Sequence, residues 1–200
     1  MTAEETQIRR ALARIQHDNP LIELRPVFPD GRWWTGLFDD HEKLAAAILR
    51  LNSIKAVAVY WTFNKVSTRK TITNRLAPAT RNSCITNAEV ARIRWLFLDY
   101  DGSREATRAL AREVEAHLSA KGWEPPEFIA SGGGFYHFYP VDIPASQAHV
   151  IKQLVRQLKN RFDTPAATID AKCVNAARIA RVPGSYHRKD IPTMAKFVGT

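Results

Sequence analysis

Two carboxylates stand at the end of a strongly apolar stretch of this 200-residue chain. The stretch from Ile93 to Asp99 predicts a buried strand, and Asp101 follows two residues later. Because side chains alternate across a strand, Asp99 and Asp101 would leave the same face, with Cα atoms about 6.5 Å apart. Such a pair can hold one or two Mg²⁺ or Mn²⁺ ions, as in sites for in-line phosphoryl displacement. Asp and Gly also begin turns, so a simple turn after the strand is the alternative.

A glycine-rich segment, Ser131-Gly132-Gly133-Gly134, leads into an aromatic strand that carries His137. Three successive glycines let backbone N–H groups approach an anion closely, and the histidine beside them could contact a phosphate. The segment is neither a Walker A loop nor a Rossmann fingerprint, because it lacks Gly-Lys-Ser/Thr and precedes a strand. The alternative is a tight hairpin with a structural histidine between aromatic rings.

A third carboxylate, Asp170, is followed by Arg178 and Arg181. Asp170 could complete a three-carboxylate metal site with Asp99 and Asp101. Guanidinium groups can clamp triphosphate oxygens in bidentate fashion, which suits the two arginines to a nucleotide. Alternatively, Asp170 pairs with a nearby arginine and has no further role.

The elements that must position these residues follow from periodicity and capping. Apolar residues at helical spacing predict helices over residues 4–17, from Asp39 or Asp40 to about 51, over 103–121 and over 144–162. Apolar runs predict strands at 21–28, 33–38, 54–63, 93–99, 128–131 and 135–141, the first two forming a hairpin. The last 35 residues are predicted to form short strands and loops. Strands alternating with helices, together with hairpins, predict an α+β fold with a mixed central sheet flanked by helices.

The chain is basic, with 29 Lys and Arg against 20 Asp and Glu and a formal net charge of +9. This charge favours an anionic partner such as nucleic acid. It is concentrated in a basic loop over residues 65–94, where Glu89 is the one acid, and in a second cluster near residues 172–189. The candidate DNA contacts are Lys65, Arg69, Lys70, Arg75, Arg188 and Lys189. A solvated surface without a partner is the alternative.

Four aromatic residues near these segments could stack on nucleic-acid bases, Trp33, Trp34, Trp61 and Phe63. Trp61 and Phe63 lie on a predicted apolar strand, which favours the core for both. For Trp33 and Trp34 too, packing in the core is favoured over stacking on bases.

Composition excludes several classes of protein. With 45% apolar residues, 9 Gly and 11 Pro, the chain is neither disordered nor collagen-like. Cys84 and Cys173 cannot form a disulfide framework, and neither has a Cys or His partner at zinc-ligand spacing. An acidic N-terminus and the lack of any run of 18 apolar residues predict no signal peptide and no membrane span, so we expect a cytoplasmic protein.

In order and spacing, the three elements resemble the archaeo-eukaryotic primase superfamily, and within it the primase-polymerase domains of replication proteins from plasmids, phages and mobile elements. The resemblance runs from about Glu23 to Lys189. It implies an RRM-like catalytic core in a single domain over residues 1–200, with a helix and hairpin part at 1–53 and the three motifs in 54–200. One position departs from the pattern, because Phe135 stands where the superfamily often has a polar residue two before the histidine.

The resemblance also implies roles for individual residues. Asp99, Asp101 and Asp170 would be the catalytic carboxylates and would hold two Mg²⁺ or Mn²⁺ ions. Nucleotide contacts would come from Ser131, Gly132, Gly133, Gly134, His137, Arg178 and Arg181. The implied activity is that of a DNA primase or template-dependent DNA polymerase that joins nucleoside triphosphates on single-stranded DNA. A helicase or a helical priming domain would be a partner, in a bacterial or archaeal host cell.

Two other classes share part of the pattern. A non-catalytic module that binds single-stranded nucleic acid would use the same positive charge, but it has no need of three acids within a basic surface. A metal-dependent nuclease could use the same carboxylates, but it has little need of arginines that bind a triphosphate. Dependence on added nucleotide separates a nuclease from a polymerase.

Overall fold

The computed structural model describes residues 1–189 and 191–198. The α-helices of this part of the chain are α1 (Ala3–Arg14), α2 (His41–Ser53), α3 (Arg104–Ser119) and α4 (Ala148–Phe162). The strands are β1 (Ile22–Val27), β2 (Trp34–Phe38), β3 (Ala58–Thr62), β4 (Lys65–Val66), β5 (Ala77–Pro78), β6 (Val90–Gly102), β7 (Glu127–Ala130), β8 (Phe135–Pro144), β9 (Ala167–Ile169), β10 (Ile179–Arg181), β11 (Tyr186–His187), β12 (Thr193–Met194) and β13 (Lys196–Phe197).

Local capping signals set the starts of α2 and α3. The Asp40 carboxylate accepts hydrogen bonds from the amides of Glu42 and Lys43, and the Ser103 hydroxyl accepts one from the Ala106 amide. Both caps confirm the sequence prediction, since these side chains satisfy backbone donors that a helix leaves free. Across the described ranges, no helix combines the length and the apolar character needed to cross a membrane.

The helix expected to begin at Pro144 begins four residues later, because β8 extends through Pro144. Ile143 pairs with Ile93 and Pro144 with Arg92, so the long ladder with β6 holds this segment extended. A short 3₁₀ turn at Ala145–Gln147 then leads into α4. Long-range pairing therefore decides this boundary over the local helix signal.

The first sheet has five strands in the order β10-β3-β1-β2-β5. Strands β1 and β2 pair antiparallel, which confirms the predicted hairpin. The later strands β3 and β10 complete the sheet, so residues 1–53 do not form a sheet of their own. Strand β3 starts at Ala58, four residues after the predicted start, because Ile54 caps the end of α2.

The second sheet has the order β13-β7-β8-β6-β4, with β9 also paired to β6. Its central path, β6-α3-β7-β8-α4-β9, is the βαββαβ arrangement of RRM-like folds, as expected. Helix α3 connects β6 to β7, but β8 lies between these two strands in the sheet. Each strand pair of the described residues is therefore antiparallel, which corrects the expectation of a mixed sheet.

The basic loop is shorter and more structured than predicted. Strand β6 begins at Val90, where a loop to Arg94 was expected, and β4 and β5 lie within the loop. A 3₁₀ turn at Asn87–Glu89 leads into β6. The loop is therefore attached to both sheets, through β4 to β6 and through β5 to β2.

Strand β6 separates two hydrophobic cores. Its residues Trp95 and Phe97 pack in a core shared with α1, α2 and the first sheet. Leu96 and Leu98 pack in the other core, under α3 and α4. Because the side chains alternate, the row of Trp95 and Phe97 continues to Asp99, on the side of the first sheet.

Candidate active site

The three predicted carboxylates come together at the C-terminal end of β6. Asp99 is half-buried and Asp101 is exposed, both inside the strand and on one face of it. Strand β9 pairs with this end of β6, with Tyr100 opposite Ile169 and Asp101 opposite Thr168. The Asp170 amide donates a hydrogen bond to the Asp99 carbonyl oxygen over 2.9 Å, which brings Asp170 beside Asp99.

Cys173 joins this group, and the sequence analysis had not connected it to the carboxylates. Its thiol donates a hydrogen bond to Asp170 Oδ2 over 3.0 Å and lies 3.8 Å from Asp99 Oδ2. One ligand atom from each of Asp99, Asp170 and Cys173 lies within 4.8 Å of the others. The spacing Asp170-x-x-Cys173 could have predicted this contact, because a turn after β9 places the cysteine next to the Asp170 carboxylate.

The electrostatics of the group are those of crowded negative charge. Burial raises the pKa of Asp99 to about 7, and the neighbouring Asp101 and Asp170 carboxylates add to this, while Arg178 opposes it. Burial also acts against ionisation of Asp170, but hydrogen bonds from Cys173 and the Lys172 amide keep its pKa below the ordinary value. Like charges this close favour a divalent cation, and the carboxylate oxygens of Asp99 and Asp170 are ligands that such a cation could use.

The Ser131–Gly134 segment lies tightly against the strand that carries the acids. The Ser131 amide donates to the Gly134 carbonyl oxygen over 2.9 Å, and the Gly134 amide donates to Ser131 Oγ over 3.1 Å. A Cβ atom at Gly134 would lie 2.7 Å from the Tyr100 carbonyl oxygen, so the close approach requires glycine. Gly132 has a φ of +91°, which also favours glycine, and it faces His187 and Thr193.

The two predicted arginines lie at β10, Arg178 just before the strand and Arg181 at its end. Arg178 Nη2 lies 3.6 Å from Asp170 Oδ2, so part of its charge balances the carboxylates. Arg181 is only 7% exposed and donates from Nη2 to the Tyr60 hydroxyl over 3.2 Å. Its Nε and Nη1 have no hydrogen-bond partner among the described residues. A buried cation with unused donors is costly unless an anion pairs with it, which marks an anion-binding position.

His137 is not part of this site. Strand β8 places His137 opposite Leu98 and Tyr136 opposite Asp99, and opposed residues of an antiparallel ladder share a face. His137 therefore points into the core under α3 and α4, where it is fully buried and lies 2.9 Å from the Tyr100 hydroxyl. Burial lowers its pKa to about 3, so it is neutral at pH 7. The expected nucleotide contact is corrected to the alternative, a structural histidine between aromatic rings.

Tyr136 takes the position at the site that His137 was expected to fill. The apolar residue Phe135, where the superfamily often has a polar one, could have indicated this change. Phe135 and His137 lie on the same buried face of β8. A one-residue difference in register moves every side chain of a strand to the opposite face.

The candidate DNA contacts divide into two groups. Lys70 donates to Glu89 Oε2 over 2.7 Å, and Arg188 donates to the carbonyl oxygens of Ala56 and Asn52. These two side chains hold parts of the fold together and are not available for a phosphate without breaking those contacts. The other candidates remain accessible: Lys65 is half-buried on β4, and Arg69, Arg75 and Lys189 are exposed.

One cavity of about 530 Å³ collects most of these groups. It is lined by Asp99 and Asp101, by parts of the Ser131–Gly134 segment, and by Tyr136, Arg178 and Arg181. Trp33 and Tyr60 of the first sheet complete its wall. Its volume is in the range of small-molecule sites, and both carboxylates and arginines line it. Such a cavity suits a polyanionic ligand bound together with a cation.

Solved structures with a similar fold include two of one primase. The chain superposes on the catalytic domain of primase RepB′ in complex with initiator DNA, with a TM-score of 0.60, 14% identity, and coverage of 100% of this chain and 86% of the other. The chain has the fold of a primase catalytic domain. It also matches a structure of primase RepB′ with a TM-score of 0.58 and 14% identity, covering 98% of this chain and 56% of that one. A scan of protein families and a search of curated proteins give no match.

Proposed function

We propose that the chain is a DNA primase or template-dependent DNA polymerase, which transfers nucleotides from nucleoside triphosphates to a strand paired with single-stranded DNA. One observation carries the proposal: Asp99, Asp101 and a buried arginine with unused donors line a single cavity, and Asp170 lies directly beside Asp99. The shared fold with a primase catalytic domain, crystallised in one case with initiator DNA, supports the same function.

The carboxylates of Asp99, Asp101 and Asp170 would hold the cations. When bound there, Mg²⁺ or Mn²⁺ supplies Lewis-acid activation of a 3′-hydroxyl and neutralises the triphosphate. Asp99 is poised for this role, because burial and the adjacent acids raise its pKa and a cation relieves that repulsion.

Arg178 and Arg181 would orient the triphosphate. Arg181 offers two unused donors from a fixed, buried position, and Arg178 offers its Nε. Preorganised donors of this kind stabilise charge that develops on a leaving pyrophosphate without reorganisation. The amide-rich Ser131–Gly134 segment closes the site beside the acids and excludes bulky side chains there.

The template would run along the accessible basic residues. We retain Lys65, Arg69, Arg75 and Lys189 as proposed phosphate contacts and leave out Lys70 and Arg188, whose donors are used within the fold. Contacts of this type act on affinity and on its salt dependence rather than on sequence preference.

The test is incorporation of labelled nucleotides on single-stranded DNA, with and without an annealed primer, in Mg²⁺ or Mn²⁺. We expect Asp99→Asn and Asp101→Asn each to lower the rate of incorporation by about 10³-fold or more. This loss is at least as large as that from removing one hydrogen-bond donor to a transition state. Asp142→Asn is the matched control, because Asp142 is exposed and paired with Arg92 away from the cavity.

The products separate the candidate functions. Template-dependent products that require a primer indicate a polymerase, and products made without a primer indicate a primase. Degradation of DNA without added nucleotide would indicate a nuclease instead. Salt-sensitive DNA binding with no product in any condition would indicate a non-catalytic binding module.

A further inference from the structure

Two adjacent tryptophans, Trp33 and Trp34, face different cavities. Trp34 begins β2, and its ring packs edge-on against Phe28 at 5.5 Å, in a separate, mostly apolar cavity of about 770 Å³ beside α2. Trp33 precedes β2 and lines the cavity that holds Asp99 and Asp101. Strand alternation thus distinguishes two residues that look equivalent in the sequence.

The Trp33 backbone is held on both sides. It forms a β-bridge with Val27, and its carbonyl oxygen accepts a hydrogen bond from the Ala79 amide over 2.9 Å. Trp33 is nevertheless 47% exposed, so its side chain is only partly covered by protein. A rigid backbone with an open aromatic face is the geometry of a stacking surface.

Tyr60 fixes the orientation of the indole relative to the anion-binding arginine. The rings of Trp33 and Tyr60 are stacked, with centroids 6.3 Å apart and an interplanar angle of 16°. Arg181 Cζ lies 5.3 Å from the Tyr60 ring centroid, and Arg181 Nη2 donates to the Tyr60 hydroxyl. Trp33 and Arg181 therefore both contact Tyr60, and the three side chains line the same cavity as one unit.

A nucleotide offers the matching chemistry. It carries an apolar, flat base and a phosphate group, and the unit has one position suited to each. A single exposed aromatic residue is ordinary on a protein surface, but this one stacks on a residue that contacts buried Arg181, whose Nε and Nη1 have no partner in the described part of the chain. We propose that Trp33 is a platform on which a nucleobase stacks inside the catalytic cavity. The proposal rests on the proposed function, because it takes a nucleotide as the ligand of that cavity.

The experiment measures binding rather than turnover. Isothermal calorimetry in Mg²⁺ compares a nucleoside triphosphate with inorganic tripolyphosphate, and a single-stranded oligonucleotide with an abasic strand of the same length. Trp33→Ala should weaken binding of ligands that carry bases by about 5- to 150-fold, the range expected for one lost stacking contact. Trp33→Phe keeps an aromatic face and should recover most of the affinity.

Trp34→Phe is the matched control, since it also removes one indole but in the other cavity, and it should leave every affinity unchanged. Thermal unfolding by circular dichroism checks that each variant is folded at the temperature of the titration. The emission of Trp33 is obtained by subtracting the tryptophan fluorescence of Trp33→Phe from that of the native chain. The base-carrying ligand should quench this emission.

The arms distinguish the source of the base. A loss of affinity for nucleoside triphosphate, with tripolyphosphate unaffected, assigns the platform to the incoming nucleotide. A loss confined to the base-carrying oligonucleotide assigns it to the template strand. Either result supports the platform, even in a chain that incorporates no nucleotides and so fails the proposed function.

Two results would overturn the platform. Equal weakening of tripolyphosphate would show that Trp33 only shapes the cavity around Arg181. Unchanged affinity for every ligand that the native chain binds would show that no base stacks there, while the proposed nucleotidyl transfer could still hold.

Discussion

The two faces of the β6–β8 ladder are built from neighbouring residues and have opposite chemistry. On one face, Asp99 and Tyr136 lie opposite each other beside an open cavity that Arg178 and Arg181 also line. On the other face, Leu98 and His137 lie opposite each other in a sealed core. A polar residue within a functional motif therefore need not be at the functional site, because strand alternation decides which face of the sheet it lies on.

The largest effect on stability is expected on the buried face. His137→Ala removes a fully buried ring that lies 4.5 Å from Phe128 and leaves the Tyr100 hydroxyl without its partner. We expect the free energy of unfolding to fall by about 2–4 kcal/mol, from the cavity and the lost hydrogen bond. Urea denaturation followed by circular dichroism measures the loss.

The same variant tests whether His137 has a role at the site. At a temperature where His137→Ala is fully folded, its affinity for nucleoside triphosphate should equal that of the native chain. A fall in that affinity without unfolding would break the division between the two faces.

The next effect has the opposite sign and lies on the open face. Asp99 ionises against burial and against neighbouring carboxylates, which raises its pKa to about 7 from an ordinary value of 3.8. In the absence of divalent cations, Asp99→Asn should therefore raise the free energy of unfolding at pH 8, on the order of 1–3 kcal/mol. Added Mn²⁺ should stabilise the native chain and leave the variant unchanged.

The pH dependence of this stabilisation follows from linkage. Between pH 4 and 7 the native state holds a proton on Asp99 that the unfolded state has lost, so native stability falls as the pH rises through this window. Below pH 4 both states are protonated, and the advantage of the asparagine should disappear. The control Asp142→Asn loses a favourable pair with Arg92 and should not stabilise the chain at any pH. An Asp99→Asn chain less stable than the native one at pH 8 would contradict the crowded-charge account.

Much of the local structure could be predicted, because it depends on neighbours in sequence. The caps at Asp40 and Ser103 and the hairpin of β1 and β2 each arise from a few adjacent residues. The common face of Asp99 and Asp101 follows from strand alternation alone. None of these features required knowing which strands distant in sequence pair with each other.

The errors arose where distant segments set the geometry. The orientation of His137 depends on its register opposite Leu98, and the helix start expected at Pro144 was displaced by pairing with Arg92. The approach of Cys173 to Asp99 requires the β6–β9 pairing, which no local pattern encodes. Register and strand order are long-range properties, so the periodicity of one segment does not fix them.

The smallest effect on stability is expected at two neighbouring basic residues. Lys70 is bound within the fold, and Arg69 is not. Lys70 donates to Glu89 and to the Cys84 carbonyl oxygen, whereas Arg69 is exposed. Lys70→Met should lower the free energy of unfolding by about 1 kcal/mol, the value of a partly screened, hydrogen-bonded pair. Arg69→Met should leave stability unchanged.

DNA binding should show the reverse. In a plot of the logarithm of affinity for single-stranded DNA against the logarithm of salt concentration, the slope should fall by about one unit in Arg69→Met and stay the same in Lys70→Met.

The difference in stability between the two variants also depends on pH. Burial of Glu89 is outweighed by hydrogen bonds from Lys70 and Thr68, which lower the pKa of Glu89 to about 2. The contribution of the pair is complete above pH 4.5 and is lost as the pH falls toward 2, so the two variants should converge in stability in acid. A Lys70→Met chain that binds DNA with a reduced slope would place Lys70 on the nucleic-acid surface and end the distinction between these neighbours.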